Sequence, residues 1–267
     1  MRLKFAVLGA VTCLAGAGVA SAHTSYIKPQ AFDLTHGKQV TLMSSFTEDF
    51  SNPEVGVKSQ DWHYVAPNGV RYPYDNVVEL KQVTILESGL AQDGTYRFTT
   101  GERLGRKGKM IRAADGSYKS ARGEDGTEIT PAAGEAMVTS QTATVADVYV
   151  SKGAPTREAV DARIGRLVFA PVEHPNEIYL DEGFSVDVLF DGVPLVDQKM
   201  TLSREGGAYA SDKGEKDVVT DANGRLTFSF DQPGVYLLMT RHQAEAPQGA
   251  DTDIQSYTTS LTFEVTR

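Results

Sequence analysis

Lys216–His242, KDVVTDANGRLTFSFDQPGVYLLMTRH, is the stretch that decides the fold class. Leu226, Phe228 and Phe230 alternate with polar residues, the two-residue period of a strand with one face on a core. Asn223-Gly224 carries the chemistry of a two-residue hairpin turn, because both residue types tolerate a positive φ. Pro233-Gly234 then breaks the chain ahead of a mostly apolar strand, Val235–Met239, which emerges into polar residues at His242.

The same pattern extends outward in both directions. FSVDVLFDGVPLVDQKMTLSRE, Phe184–Glu205, alternates on either side of a tight turn at Asp191-Gly192, and YTTSLTFEVTR closes the chain as one more strand. Upstream, Gln39–Phe46, Asp61–Gly69, Asn76–Ser88, Gly94–Gly101 and Thr142–Thr156 read as strands separated by Gly, Pro, Asn and Asp. Between them, residues 102–134 are polar and turn-rich and read as a long polar loop or a loose hairpin, with the basic half RLGRKGKMIR as a solvated strand pair. A weak helical turn near Arg157–Arg163 is the one α candidate. The expectation is an all-β protein with two β-sandwich domains in tandem, immunoglobulin-like or transthyretin-like. The N-terminal domain runs over 23–162 and the C-terminal one over 163–267.

Residues 1–22 read as a secretory signal peptide. Arg2 and Lys4 precede an apolar run, and Ala20-Ser21-Ala22 supplies the small side chains of a cleavage site after Ala22. The run is too short to span a bilayer, and nothing later approaches the ~20 apolar residues a membrane helix needs. The expectation is therefore a periplasmic or secreted protein with no transmembrane segment after cleavage. Cleavage removes Cys13, the sole cysteine, so the core must hold the mature chain without disulfides. It also removes two positive charges, taking the formal charge from −9 to −11. Such a balance excludes nucleic acid as a partner and suits cations.

Six phrases taken together carry a family resemblance: His23 directly after the leader, DWHYVAPNG, DVYVSKGAPT, GRLVFAPVEHPNEIYLDEGFSVDVLFDGVPL, TDANGRLTFSFDQPGVYLLMTRH and SYTTSLTFEV. In order and wording the chain resembles a bacterial periplasmic family called domain of unknown function 4198, labelled as nickel-uptake associated. The resemblance implies tandem β-sandwiches and the handling of a divalent transition metal, Ni or Cu, beside a membrane metal transporter. It also implies mature chains that begin with His.

Histidine at the first position of a chain is a special ligand. Its α-amine and its imidazole Nδ1 close a six-membered ring on one metal, and the amine, with an ordinary pKa near ~7.7–8.0, deprotonates at little cost. A further imidazole would complete the three-nitrogen set called a histidine brace, whose donors suit Cu, Ni and Zn. His63, beside Trp62, and His242, at a strand end, are the expected partners of His23. If Trp62 faces the core, alternation turns His63 toward solvent or a cleft. His36 and His174 read as solvent-facing turn residues. Glu48, Asp49 and Glu54 in FTEDFSNPE, with Asp61, are carboxylates placed to complete a shell.

The sequence carries no nucleophile elbow, phosphate-binding glycine loop or His-Glu-x-x-His, so no enzyme is expected. Three readings follow. The first is an exported metal-binding accessory protein, the second a protein or glycan interaction module presenting residues 102–134, and the third, a distant one, a copper oxidative enzyme.

Overall fold

The computed structural model describes residues 23–123, 125–207 and 214–267; the leader read at 1–22 lies outside the described residues. The strands are, in chain order, β1 (Thr24–Pro29), β2 (Gln39–Thr47), β3 (Val55–Gly56), β4 (His63–Val65), β5 (Arg71–Tyr72), β6 (Asn76–Glu79), β7 (Thr84–Gly89), β8 (Gly94–Thr99), β9 (Arg103–Arg112), β10 (Tyr118–Ser120) and β11 (Ala136–Lys152). A helical turn, α1 (Glu158–Asp161), falls inside the stretch expected for one. After it come β12 (Leu167–Pro171), β13 (Phe184–Phe190), β14 (Val193–Pro194), β15 (Lys199–Arg204), β16 (Glu215–Val219), β17 (Arg225–Phe228), β18 (Gly234–Glu245) and β19 (Ile254–Val265). The all-β sandwich class is the one observed.

Three sheets form. A ten-stranded sheet runs β16-β15-β18-β19-β11-β8-β4-β5, with β9 on β11 and β10 on β9. A smaller sheet, β1-β2-β7-β6 with β3 on β2, covers one face of it, and β12-β13-β14 with β17 covers the other. Alternation along β11 shows the division. Ala146, Val148 and Val150 join Ile27, Leu42, Leu86 and Phe98 in one apolar core, whereas Tyr149 joins Val186, Val188, Leu238 and Phe263 in the other. The two cores draw mainly on the two sides of residue 163, but the large sheet does not stop there. Ser140–Val148 of β11 pairs in parallel with Ile254–Thr262 of β19.

Several local features differ from the sequence reading. Of the two readings of residues 102–134, the hairpin holds and the long polar loop does not: β9 pairs antiparallel with β10, and its other edge joins β11 over most of its length. Its lysines are neutralised in place, Lys107 on Asp251 and Lys109 on Glu128, each at 2.8 Å, and Lys119 on Glu135 at 2.5 Å. The turn at Asp191-Gly192 is as expected, with φ of 52° and 80° at its two residues, joining β13 to β14. The turn at Asn223-Gly224 is tight, but it joins β16 and β17, which belong to different sheets, so it is no hairpin. The Asp221 carboxylate accepts from the N–H groups of Asn223 and Arg225 and so holds the turn without a cross-strand ladder.

Where β8 meets β11, Arg97 is 2% exposed and its Nη2 lies 2.5 Å from Asp147 Oδ2. Its Nη1 donates to the Ala162 carbonyl at 2.5 Å, which fastens the crossing between the two sandwiches. Removing one member of such a pair strands the other as a buried charge, at a cost of roughly 3–5 kcal/mol. Arg97→Ala is expected to lower the urea unfolding midpoint accordingly, and Arg97→Met combined with Asp147→Leu to recover most of the loss. A single variant as stable as the parent would show that the pair holds nothing.

Candidate functional site

His23 stands immediately ahead of β1. Thr24 pairs with Thr47, so residue 23 lies beside the point where β2 gives way to the 48–54 loop. Glu54 returns to the sheet by donating its N–H to the Phe46 carbonyl at 3.1 Å, and Val55 pairs with Phe46. The loop is tight: Thr47 Oγ1 donates to the Asn52 carbonyl at 2.8 Å, and Asn52 N–H donates to the Asp49 carbonyl at 2.9 Å. Its two stems therefore bring Glu48 and Glu54 to the same histidine. His23 Nε2 is 2.7 Å from Glu54 Oε2 and 3.8 Å from Glu48 Oε1. The His23 side chain is 47% exposed, so the cluster opens to solvent. Asp49, the third carboxylate of the stretch, makes no ion pair with His23; with Glu48 it lines a shallow cleft shared with Phe50, Ser203, Arg204 and Glu215.

The loop is tied to the second sandwich. Ser51 Oγ donates to Glu205 Oε1 at 2.7 Å, and Lys28 pairs with the same carboxylate. On the strand itself, Ser260 Oγ of the central sheet donates to the Ser25 carbonyl at 2.6 Å. Both attachments fix the backbone on which His23 sits.

The other two expected ligands lie elsewhere. His63, on β4, is 6% exposed rather than facing solvent or a cleft. Trp62 and Tyr64 do pack on the first core, as alternation requires, but the opposite face is also covered, by a cluster of Val65, Val145, Ala159 and Ile164. His63 Nδ1–H donates to the Asp61 carbonyl at 2.7 Å. His242, on β18 opposite Tyr257, sets its ring 4.7 Å from that of Phe190, tilted by 51°. Burial and the neighbouring Arg166 hold its pKa below the ordinary histidine value, against the pull of Asp191. β19, β11 and β8 lie between β18 and β4. Four strand spacings put the two histidines roughly 19 Å apart along the sheet, whereas two ligands of one metal each sit ~2.0–2.1 Å from it. The structure does not bring His63 and His242 together.

Among the described residues, no group of three or more His, Cys, Asp or Glu side chains forms a ready-made metal cage. Sequence reasoning had named Glu48 and Glu54 as carboxylates for a shell. Their places at the two ends of a seven-residue excursion between two paired strands are what deliver both.

His174 is a correction: it is buried, not a solvent-facing turn residue. Its Nδ1 accepts from Asn176 N–H at 3.1 Å, and its Nε2–H faces Thr95 Oγ1 at 2.9 Å and the Thr156 carbonyl at 3.1 Å. This neutral ring joins β8 to the segments on both sides of β12. Burial, aided by Arg157, lowers its pKa against the pull of the Thr156 carbonyl, Glu177 and Asp161. The folded state thus refuses a proton that the unfolded chain takes up near ~6.5. Stability is undiminished above that pH and falls as pH drops through it. His174→Gln is expected to show a shallower loss of urea stability between pH 7 and pH 5 than the parent; equal slopes would remove His174 from the acid response.

A family model described as Domain of unknown function (DUF4198) matches residues 20–244. No curated protein matches the chain. Among solved structures, the chain is similar to trypsin-activated alpha-2-macroglobulin from Escherichia coli at 9% identity and a TM-score of 0.24, over 90% of this chain but only 16% of that one. It is similar to the D0-D1 domain of intimin at 11% identity and a TM-score of 0.21, over 89% of this chain and 96% of that one. The TIE protein of Bacillus anthracis shares 10% identity at a TM-score of 0.16, over 93% of this chain and 42% of that one. At these scores the likenesses carry no weight. Among the described residues, no helix is long and apolar enough to cross a membrane.

Proposed function

The chain belongs to the DUF4198 family, and on that premise we propose that it is an exported accessory protein that captures a divalent transition metal, nickel or copper, at His23 and passes it to a membrane uptake system. The observation that carries this reading is the exposed His23 ring set against Glu54 and Glu48 at the stems of one loop. Cleavage after Ala22 turns the His23 amide into an amine, and amine and imidazole then grip one ion as a chelate. Nitrogen donors select Ni and Cu over Mg and Ca. The two carboxylates lend negative potential to a site at the surface, where cargo enters and leaves.

A chelate that opens to solvent and rests on one residue suits a carrier better than a permanent cofactor site. A buried cage of three or four side chains binds too slowly and releases too slowly for transfer. The metal is cargo here, held long enough to be handed on.

The test is an added Ala ahead of His23 in the mature protein, titrated with Cu(II) and Ni(II) beside the parent. The extra residue restores an amide at the His23 nitrogen and is expected to weaken binding by at least about tenfold, the lower end for losing a supporting group at a metal site. Unchanged affinity would end the reading. Mass spectrometry of exported material checks its premise, a chain starting at His23.

A further inference from the structure

The Glu54 carboxylate is engaged at both oxygens. Oε2 lies 2.7 Å from His23 Nε2, and Oε1 accepts the Glu48 backbone N–H at 2.8 Å. The second bond matters because it fixes the carboxylate from the far side. Glu48 N–H belongs to the stem of a loop that is itself closed by Thr47 and Asn52 and anchored through Ser51 to Glu205. A side chain bonded at one oxygen swings about that bond. One bonded at both presents a fixed acceptor to whatever stands beside it.

What stands beside it is an imidazole whose two nitrogens are chemically distinct. A carboxylate accepts and does not donate, so the nitrogen facing it carries the proton. Here that nitrogen is Nε2. In the neutral ring the other, Nδ1, then keeps its lone pair, and Nδ1 is the ring atom close enough to the residue's own backbone nitrogen for both to grip one ion. Metal-bound histidines generally hold their second ring N–H on a carboxylate or carbonyl in this way, which fixes the tautomer and makes the ligand more basic.

We infer that Glu54 is a positioning residue: it holds the proton of His23 on Nε2 and so presets Nδ1 for a divalent transition-metal ion, without itself binding that ion. The inference rests on the His23 reading above. It assigns different roles to the two carboxylates, since Glu48, 3.8 Å from the ring, makes no comparable bond to it and contributes charge alone.

Glu54→Gln separates positioning from structure. Glutamine has one carbonyl oxygen and cannot accept from both Glu48 N–H and His23 Nε2–H. If the oxygen keeps the loop bond, the amide NH2 faces Nε2 and donates to it, which drives the ring proton to Nδ1 and blocks the chelate. The mature protein, Glu54→Gln, Glu54→Ala, Glu48→Gln and the Ala-extended chain are titrated with Cu(II) alone. Ring ¹⁵N shifts of His23 are recorded without metal, and pulsed EPR on the copper form reports which ring nitrogen is bound. Expected results are an Nε2–H ring in the metal-free parent, a gain of the Nδ1–H form in Glu54→Gln, and copper on Nδ1. Both Glu54 variants should lose about 10–100-fold in affinity, the usual range for an outer partner of a ligand, and Glu48→Gln less than about threefold.

Parental affinity and an unshifted ring tautomer in Glu54→Gln would overturn the inference, as would copper bound through Nε2 or through a Glu54 oxygen. If the Ala-extended chain binds like the parent, the chelate reading itself falls, whatever the Glu54 variants do. If the extension abolishes binding while both Glu54 variants bind like the parent, the chelate stands and only the positioning role falls. Urea unfolding of each variant separates a lost ligand from a lost fold.

Discussion

The parallel pairing of Ser140–Val148 with Ile254–Thr262 is the constraint on which the rest of the molecule depends. A parallel pair needs a long crossover, and here the crossover is the entire second sandwich, about a hundred residues between the end of β11 and the start of β19. The last strand of the chain is thereby built into the middle of the sheet. The second core draws on that strand directly, through Tyr257, Leu261 and Phe263, whereas the first takes Ala146, Val148 and Val150 from β11, the strand it pairs with. A sheet buried on both sides resists local opening, because each strand that leaves exposes two apolar surfaces at once.

That rigidity reaches the candidate site by a short route. β1 is an edge strand of the first small sheet, and edge strands fray unless tied down. Two ties lead to neighbouring layers, Ser260 to the Ser25 carbonyl and Lys28 to Glu205. His23, one residue further out, combines a fixed backbone with a solvent-facing ring. The proposed carrier role needs that combination: a rigid base for geometry and an open face for exchange. Arg97 and Asp147 serve the same end from beneath, since they lock the crossing that sets the two sandwiches against each other.

Much of this was written locally in the chain. Alternation through Leu226, Phe228 and Phe230 marks β17 and its continuation, and Asp191-Gly192 makes its turn because Asp tolerates and Gly favours a positive φ. His23, Glu48 and Glu54 were all legible as candidates from residue type alone. Other elements were not. β1 is short, and its identity as a strand comes from pairing with β2. β9 is rich in Lys, Arg and Gly and carries no apolar face; it is a strand because β11 extends past β8 and offers an unpaired edge. β19 is full of Ser and Thr, yet nearly all of it is buried, because small hydroxyl side chains fit between close layers, where Ser260 finds the Ser25 carbonyl.

The amino-acid sequence by itself determined the periodicity, the turns, the acidic charge and the presence of one histidine behind a small-residue cleavage pattern, since each depends on residues a few positions apart. Only the tertiary structure decided which histidines keep company. Burial is a property of what covers a face, and no local pattern reveals that Ala159 and Ile164 pack against Val65 beside His63 or that Phe190 lies against His242. The same holds for Glu54, whose two hydrogen bonds reach residues 6 and 31 positions away and exist because β2 and β1 are neighbours in one sheet. Contacts between distant positions carry no signature until the backbone has closed the loops that make them.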